Sequence, residues 1–159
     1  MNDQQTVRRI YVDSNAFIYA IEGNDEVSSV LHRFFAVLRL QAEPAYTSEL
    51  ILAEVLPRAN TVQRRSYFTL ILFSGLFDAL PVSREVLIET ADYRKNRTRP
   101  SLEGRGVMPK LADAVHVASA TRAKCNTFIS FDRGLQLPTG MERIGREDGR
   151  LVQLVQELS

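Results

Sequence analysis

Four acidic residues stand where a solvated charge is not expected. Asp13 follows directly on Ile10-Tyr11-Val12 in the stretch IYVDSNAFIYA, residues 10–20. Asp132 ends the apolar run NTFISF in the same way. Glu54 lies within LILAEVL, with Leu50 and Ile51 four and three residues before it, a spacing that shares one helix face. Asp113 lies in KLADAVHVA, at the start of an alanine-rich segment. Each has a structural explanation by itself. An Asp at a strand end forms turns, and Asp132 precedes Arg-Gly; Asp113 in a first helical turn meets the helix dipole favourably; Glu54 could rest at the edge of its stripe. Their shared property is that each interrupts an apolar pattern near the end of a strand or helix. Gathered in one place, such carboxylates raise one another's pKa. Two bare charges about 4 Å apart repel by roughly 4 kcal/mol at an effective dielectric near 20. A bound cation relieves that repulsion, and an all-oxygen donor set suits Mg²⁺ or Mn²⁺ and not zinc or copper. Glu49 competes with Glu54, but it sits in the first turn of the same helix, where an acid in water is at ease. Glu54 is preferred because it lies inside the Leu/Val run.

The elements that must position these acids follow from the apolar spacing. IYV (10–12) predicts a short strand and residues 15–21 a helix. Residues 26–41 carry Val27, Val30, Leu31, Phe34, Phe35 and Leu38 at helical spacing. AYT (45–47) predicts a strand, with Ser48 as N-cap of SELILAEVL. A helix over 61–74 ends where Gly75 suits a C-cap. FDALPV (77–82) predicts a strand, and Ser83 caps a helix running to about Asn96. LADAVHVASATRAK (111–124) predicts a helix whose small residues allow close approach to a sheet. NTFISF (126–131) predicts a strand and RLVQLVQEL (150–158) a helix. Strands alternating with helices predict one α/β domain over residues 1–159, with a mainly parallel sheet and right-handed crossovers covering both faces. Ligands in such folds bind beyond the carboxyl ends of the strands, where strand order reverses.

Composition narrows the class. The 159 residues are 45% hydrophobic and 25% charged, which excludes disordered and fibrous chains. The single cysteine excludes an internal disulfide framework and a multi-cysteine zinc site, and Cys125 is expected to be a small buried hydrophobe. The start, MNDQQTVRRIYVD, has no apolar signal core, so a cytoplasmic location and no membrane association are expected. YFTLILFSGLF (67–77) is too short to span a bilayer. It is read as core, though an exposed face on it would suit a partner. Net charge is only +1, but residues 94–110, RKNRTRPSLEGRGVMPK, carry +5 and leave the rest of the chain at −4. A basic loop that runs directly into Asp113 can hold phosphates beside an acidic site. Its candidates are Arg97, Arg99, Arg105 and Lys110, Lys110 being nearest Asp113 in the chain; a solvated surface loop is the alternative. His116, three residues after Asp113, is expected to pack or to support the acids and not to act as a base. His32 is expected on the surface.

The ordered segments VDSNAFIYA, TSELILAEVL, KLADAVHVASA and TFISFDRGL resemble the PIN-domain family of small metal-dependent nucleases. The resemblance implies a three-layer α/β/α sandwich around a mostly parallel sheet. It also implies a Mg²⁺ or Mn²⁺ site formed by Asp13, Glu54, Asp113 and Asp132, with Asn15 and Ser130 supporting the carboxylates. Activity would be hydrolysis of RNA by metal-activated water, leaving a 5′-phosphate and a 3′-hydroxyl. The small size is similar to the VapC-type toxins of toxin–antitoxin pairs, which implies an antitoxin partner and a homodimer. Two alternatives stay within the family: a stand-alone PIN nuclease, and a PIN-like module that binds without catalysis. A phosphoacceptor-Asp enzyme fits less well. A haloacid-type phosphatase wants an Asp at the position of Asn15, and a receiver domain wants an early acidic pair and a Lys after a late strand.

Overall fold

The computed structural model describes residues 7–104 and 106–159. Five short strands form one sheet: β1 (Ile10–Val12), β2 (Ala45–Ser48), β3 (Phe77–Leu80), β4 (Thr127–Ile129) and β5 (Glu142–Ile144). Their order is β3-β2-β1-β4-β5, and every neighbouring pair is parallel. Seven α-helices among the described residues flank it: α1 (Ser14–Glu22), α2 (Glu26–Leu38), α3 (Leu50–Val55), α4 (Thr61–Phe68), α5 (Arg84–Asn96), α6 (Leu111–Arg122) and α7 (Arg150–Leu158). The chain therefore lays β1 in the centre and builds outward through β2 and β3. It then returns to place β4 on the other side of β1.

Strand alternation sorts the core into two layers. Ile10 and Val12 of β1 point to one face, where Phe17, Leu31, Phe34, Leu151 and Leu154 pack. Tyr11 points to the other, against Phe128, Ala114, Val117 and Ala120. The Tyr11 and Phe128 rings stack with centroids 4.9 Å apart across the β1–β4 register. Ala114, Ala118 and Ala120 are buried, so the small residues of α6 do let it lie close on the sheet. The α/β/α sandwich is the expected one, with the sheet wholly parallel.

Several boundaries differ from expectation. Ser48 ends β2, and Glu49 takes the N-cap position of α3 without a side-chain cap; the Ser48 hydroxyl still accepts from the Leu50 N–H at 3.1 Å. The helix expected over 61–74 stops at Phe68 and continues as one wider π-turn over Thr69–Phe73, with Gly75 at φ +74 beyond it. Helix α2 stops at Leu38 and not at residue 41. Within the 67–77 segment Tyr67, Ile71, Leu76 and Phe77 are buried, while Phe73 is 76% exposed. Strand β5 has no counterpart in the sequence reading, because Glu142-Arg143-Ile144 offers a single apolar residue on an edge strand. Among the described residues no helix is long and apolar enough to cross a membrane.

Candidate active site

The strand order reverses between β1 and β4, and both lead with their carboxyl ends into acids. Val12 pairs with Ile129, and the Asp13 N–H donates to the Ile129 carbonyl at 3.0 Å, so Asp13 and Ser130 leave the sheet side by side. Asp13 is the N-cap of α1. Its Oδ1 accepts from the Ser14 N–H at 2.7 Å and its Oδ2 from the Ser130 hydroxyl at 3.0 Å. Ser130 Oγ in turn accepts from the Asp132 N–H at 3.2 Å. One serine thus links the acids that follow β1 and β4. Ser14 has the second supporting role. Asn15 is half-buried in the first turn of α1, and its side chain makes no hydrogen bond to the acids among the described residues.

Glu54 comes from the last turn of α3, beyond β2. Buried Ile51 and Val55 fix the helix against the core, which leaves Glu54 on its edge facing α6. There it meets His116, a residue that the sequence argument left in a supporting role with no named partner. His116 Nε2 lies 2.6 Å from Glu54 Oε2 and 3.6 Å from Asp13 Oδ1, and the Tyr11 hydroxyl lies 2.7 Å from its Nδ1. The imidazole is buried. Burial favours the neutral ring, but the Glu54 hydrogen bond and the charges of Asp13, Glu54 and Asp113 outweigh it and raise the His116 pKa. Burial, with Asp13 close by, likewise pushes the Tyr11 phenol well above its ordinary value. Glu49, the rival acid, is exposed.

Asp113 lies in the first turn of α6, half-buried. Desolvation raises its pKa first, and repulsion from Asp13 and Asp132 adds to that; Lys110 and His116 offset only part. Among the described residues no Lys or Arg forms an ion pair with Asp13, Glu54, Asp113 or Asp132. The four acids are therefore neighbours without a fixed counter-charge other than His116. They do not yet form one closed ligand set: no group of three or more His, Cys, Asp or Glu stands in metal-holding geometry among the described residues. Asp13 and Glu54 are engaged by donors on the buried side, while Asp113 and Asp132 face a cleft.

That cleft, of about 330 Å³, runs from Asp113 and Asp132 to the basic segment. Lys110 stands at its mouth, and Arg97 and Arg99 line it. Arg99 and Val107 exchange backbone hydrogen bonds of 2.9 and 2.7 Å, which turns the expected loop into a hairpin stem. At Gly106 a Cβ would meet the Thr98 side-chain methyl, which would have to turn aside. Arg105 lies outside the described residues. A larger cavity, about 680 Å³, opens at the opposite, amino-terminal edge of the strands between Arg8, Asn126 and Thr127. It contains none of the four acids. Cys125 is buried and His32 exposed, as expected.

A wholly parallel α/β/α sandwich with acids gathered at its switch point defines a class of acid-rimmed α/β domains. The PIN domain sequence profile matches residues 10–138, and the chain belongs to the PIN domain family. Its fold is shared with solved bacterial toxins. VapC20 of Mycobacterium tuberculosis, a toxin that cleaves the sarcin–ricin loop, superposes with a TM-score of 0.61 at 13% identity, over 79% of this chain and 92% of that one. VapBC2 of Rickettsia felis, solved with a DNA fragment from its promoter, gives 0.58 at 15% identity, over 86% and 97%. A toxin–antitoxin complex from Klebsiella pneumoniae gives 0.54 at 17%, over 79% and 88%. No curated protein sequence matches the chain.

Proposed function

We propose that the protein is a Mg²⁺- or Mn²⁺-dependent endoribonuclease that serves as the toxin of a type II, VapBC-like toxin–antitoxin pair. The observation that supports this reading is that Asp13 follows β1 at the sheet's switch point with Asp113 repelled by both it and Asp132, while no Lys or Arg among the described residues forms an ion pair with any of the four acids. The donor set fits a hard divalent cation: it is all oxygen, and burial, with repulsion from Asp13 and Asp132 added to it, holds the Asp113 pKa above its ordinary value. When bound, the cation supplies an activated water and neutralises charge that develops on the attacked phosphate.

The chain's own residues do the rest. Asp13, Glu54, Asp113 and Asp132 hold the cation. Ser130 and Ser14 fix the Asp13 carboxylate, and His116 fixes Glu54. Lys110, Arg97 and Arg99 hold substrate RNA at the cleft, with Arg105 as a fourth candidate, because an acid rim alone repels RNA. Exposed Val62, Leu72 and Phe73 on α4 and the π-turn offer an apolar face to an antitoxin or to a second copy of the chain.

The test combines cleavage with metal binding. Wild type should cut RNA with Mn²⁺ and stop in EDTA, and Asp13→Asn should stay inactive under both conditions; equal activity in all four removes the metal mechanism. A second reading, a PIN domain that binds without cutting, is favoured by one observation: Glu54 is already engaged by His116. Failure of Mn²⁺ to raise the melting temperature, together with no cleavage, would select it.

A further inference from the structure

The wall of the cleft between the acids and the basic hairpin is built, and it has the shape and chemistry of a nucleobase seat. Arg97 ends α5 four residues after Tyr93, and its guanidinium lies over the Tyr93 ring at 4.2 Å from the centroid. The ring is fixed in turn, since Tyr93 is buried and its hydroxyl donates to the Gln136 carbonyl at 2.6 Å. Arg99 is fixed by the same segment: the Gln136 carboxamide, turned with its oxygen toward the guanidinium, accepts from Arg99 Nε at 2.9 Å and also from Nη2. Arg94 ties the base of the hairpin by donating from Nε to the Pro109 carbonyl at 2.9 Å. The two arginines at the cleft are therefore held in place and do not wave in solvent. Arg99 is held against the chain that follows Asp132, and Arg97 against the Tyr93 ring that the same chain fixes.

We infer that this cleft seats one unpaired nucleotide of the RNA substrate, with its base stacked on the Arg97 guanidinium and its phosphate held by Arg99 and Lys110 beside Asp113 and Asp132. The inference rests on the ribonuclease reading and adds which residues of this chain seat the base beside the cut. Three observations carry it. First, the volume of about 330 Å³ is at the small end of ligand sites, which run from roughly 300 to 1,000 Å³, a size that suits one nucleotide. Second, the lining is amphipathic: Met108, Leu135 and the Tyr93 ring give it an apolar floor, while Arg97, Arg99 and Gln136 give it planar polar edges. Unstacked RNA bases are recognised on aromatic rings and arginine planes with hydrogen bonds at their edges. Third, Arg99 and Lys110 line the same cleft as Asp113 and Asp132, so a phosphate that the acids alone would repel has cations to hold it beside them.

The experiment is binding in EDTA, read by fluorescence anisotropy, with a labelled single-stranded RNA decamer carrying one abasic nucleotide walked through its length. One position should weaken binding by about tenfold, the loss expected for one base–side-chain stack, and cleavage with Mn²⁺ should map within a nucleotide of it. Arg97→Lys keeps the charge and removes the plane. It should weaken the intact RNA about tenfold, leave the abasic RNA unchanged and leave the salt slope unchanged. Equal loss at every abasic position, or an Arg97→Lys effect that adds in full to the abasic effect, overturns the inference while the nuclease reading stands. Absence of both RNA binding and RNA cleavage in wild type overturns both.

Discussion

The Glu54–His116 contact makes a sharp prediction for the metal-free protein. The 2.6 Å separation and a side-chain exposure of 1% for His116 and 24% for Glu54 describe a charge-assisted hydrogen bond shielded from water. Such bonds contribute about 1.5–3 kcal/mol, against about 0.5–1.5 for a neutral pair. Urea unfolding in EDTA of wild type, His116→Ala, Glu54→Gln and the double variant should therefore give a coupling energy of about 2 kcal/mol at pH 6. His116→Ala should cost more than the coupling alone, because it also leaves the buried Tyr11 hydroxyl without its 2.7 Å partner, a loss of about 1–3 kcal/mol. The pH dependence has a fixed sign. A histidine with a raised folded-state pKa gives stability that is complete below its unfolded value, about 6.5, and is lost as pH rises through the folded value. The coupling should accordingly shrink at pH 9 toward that of a neutral hydrogen bond, since Tyr11 can donate to Nδ1 and leave the proton on Nε2. Additivity within about 0.5 kcal/mol at pH 6 would refute the argument, as would a coupling that grows with pH.

Three further outcomes follow from the same geometry. Asp113→Asn removes a desolvated charge repelled by Asp13 and Asp132, so it should raise the metal-free melting temperature measured by calorimetry. The same change should diminish the stabilisation that wild type gains from saturating Mn²⁺, about 2.7 kcal/mol at a hundredfold excess over Kd. Ser130→Ala takes a donor from buried Asp13 and an acceptor from the Asp132 N–H; it should cost about 1–3 kcal/mol in urea unfolding and reduce the Mn²⁺ shift more than Asn15→Ala does. Cys125, whose burial pushes its thiol up to about 12, should resist a thiol reagent at pH 8 in the folded protein and react at once in denaturant.

Much of this was legible before the fold was known, for a physical reason. A carboxylate at the end of an apolar run is costly unless something meets it, so Asp13 and Asp132 announce both a strand end and a partner. The helical face shared by Leu50, Ile51 and Glu54 favours Glu54 over Glu49, and the fold leaves Glu49 exposed and sets Glu54 against His116. His116 was the residue whose importance the sequence did not disclose. Its partner Glu54 is 62 positions away and Tyr11 is 105, and only the packing of α6 against the sheet joins them. The signal was present in AVHVASA, where a histidine is the only ring in a run of small buried residues. The Tyr93–Arg97 stack was accessible in principle, because residues four apart on a helix are neighbours. The tie between Arg99 and Gln136 was not, since it depends on how the chain beyond Asp132 crosses the hairpin.

The two sides of the acidic rim are held differently, and this explains why the acids converge without closing into a ligand set. Asp13 and Glu54 belong to a rigid half: serine, backbone and histidine donors occupy their oxygens on the buried side. Asp113 and Asp132 belong to an open half at the cleft, where desolvation and repulsion are only partly offset at Asp113. A rim in which every carboxylate was already paired with an arginine would be more stable empty and would lose less charge repulsion on meeting a cation. A rim with no donors at all would splay apart. Histidine between Glu54 and Asp13 satisfies both demands, because it satisfies the buried oxygens with a hydrogen bond whose charge is conditional. Arginine in its place would fix that charge at every pH, whereas the histidine's charge is lost as pH rises through its raised pKa.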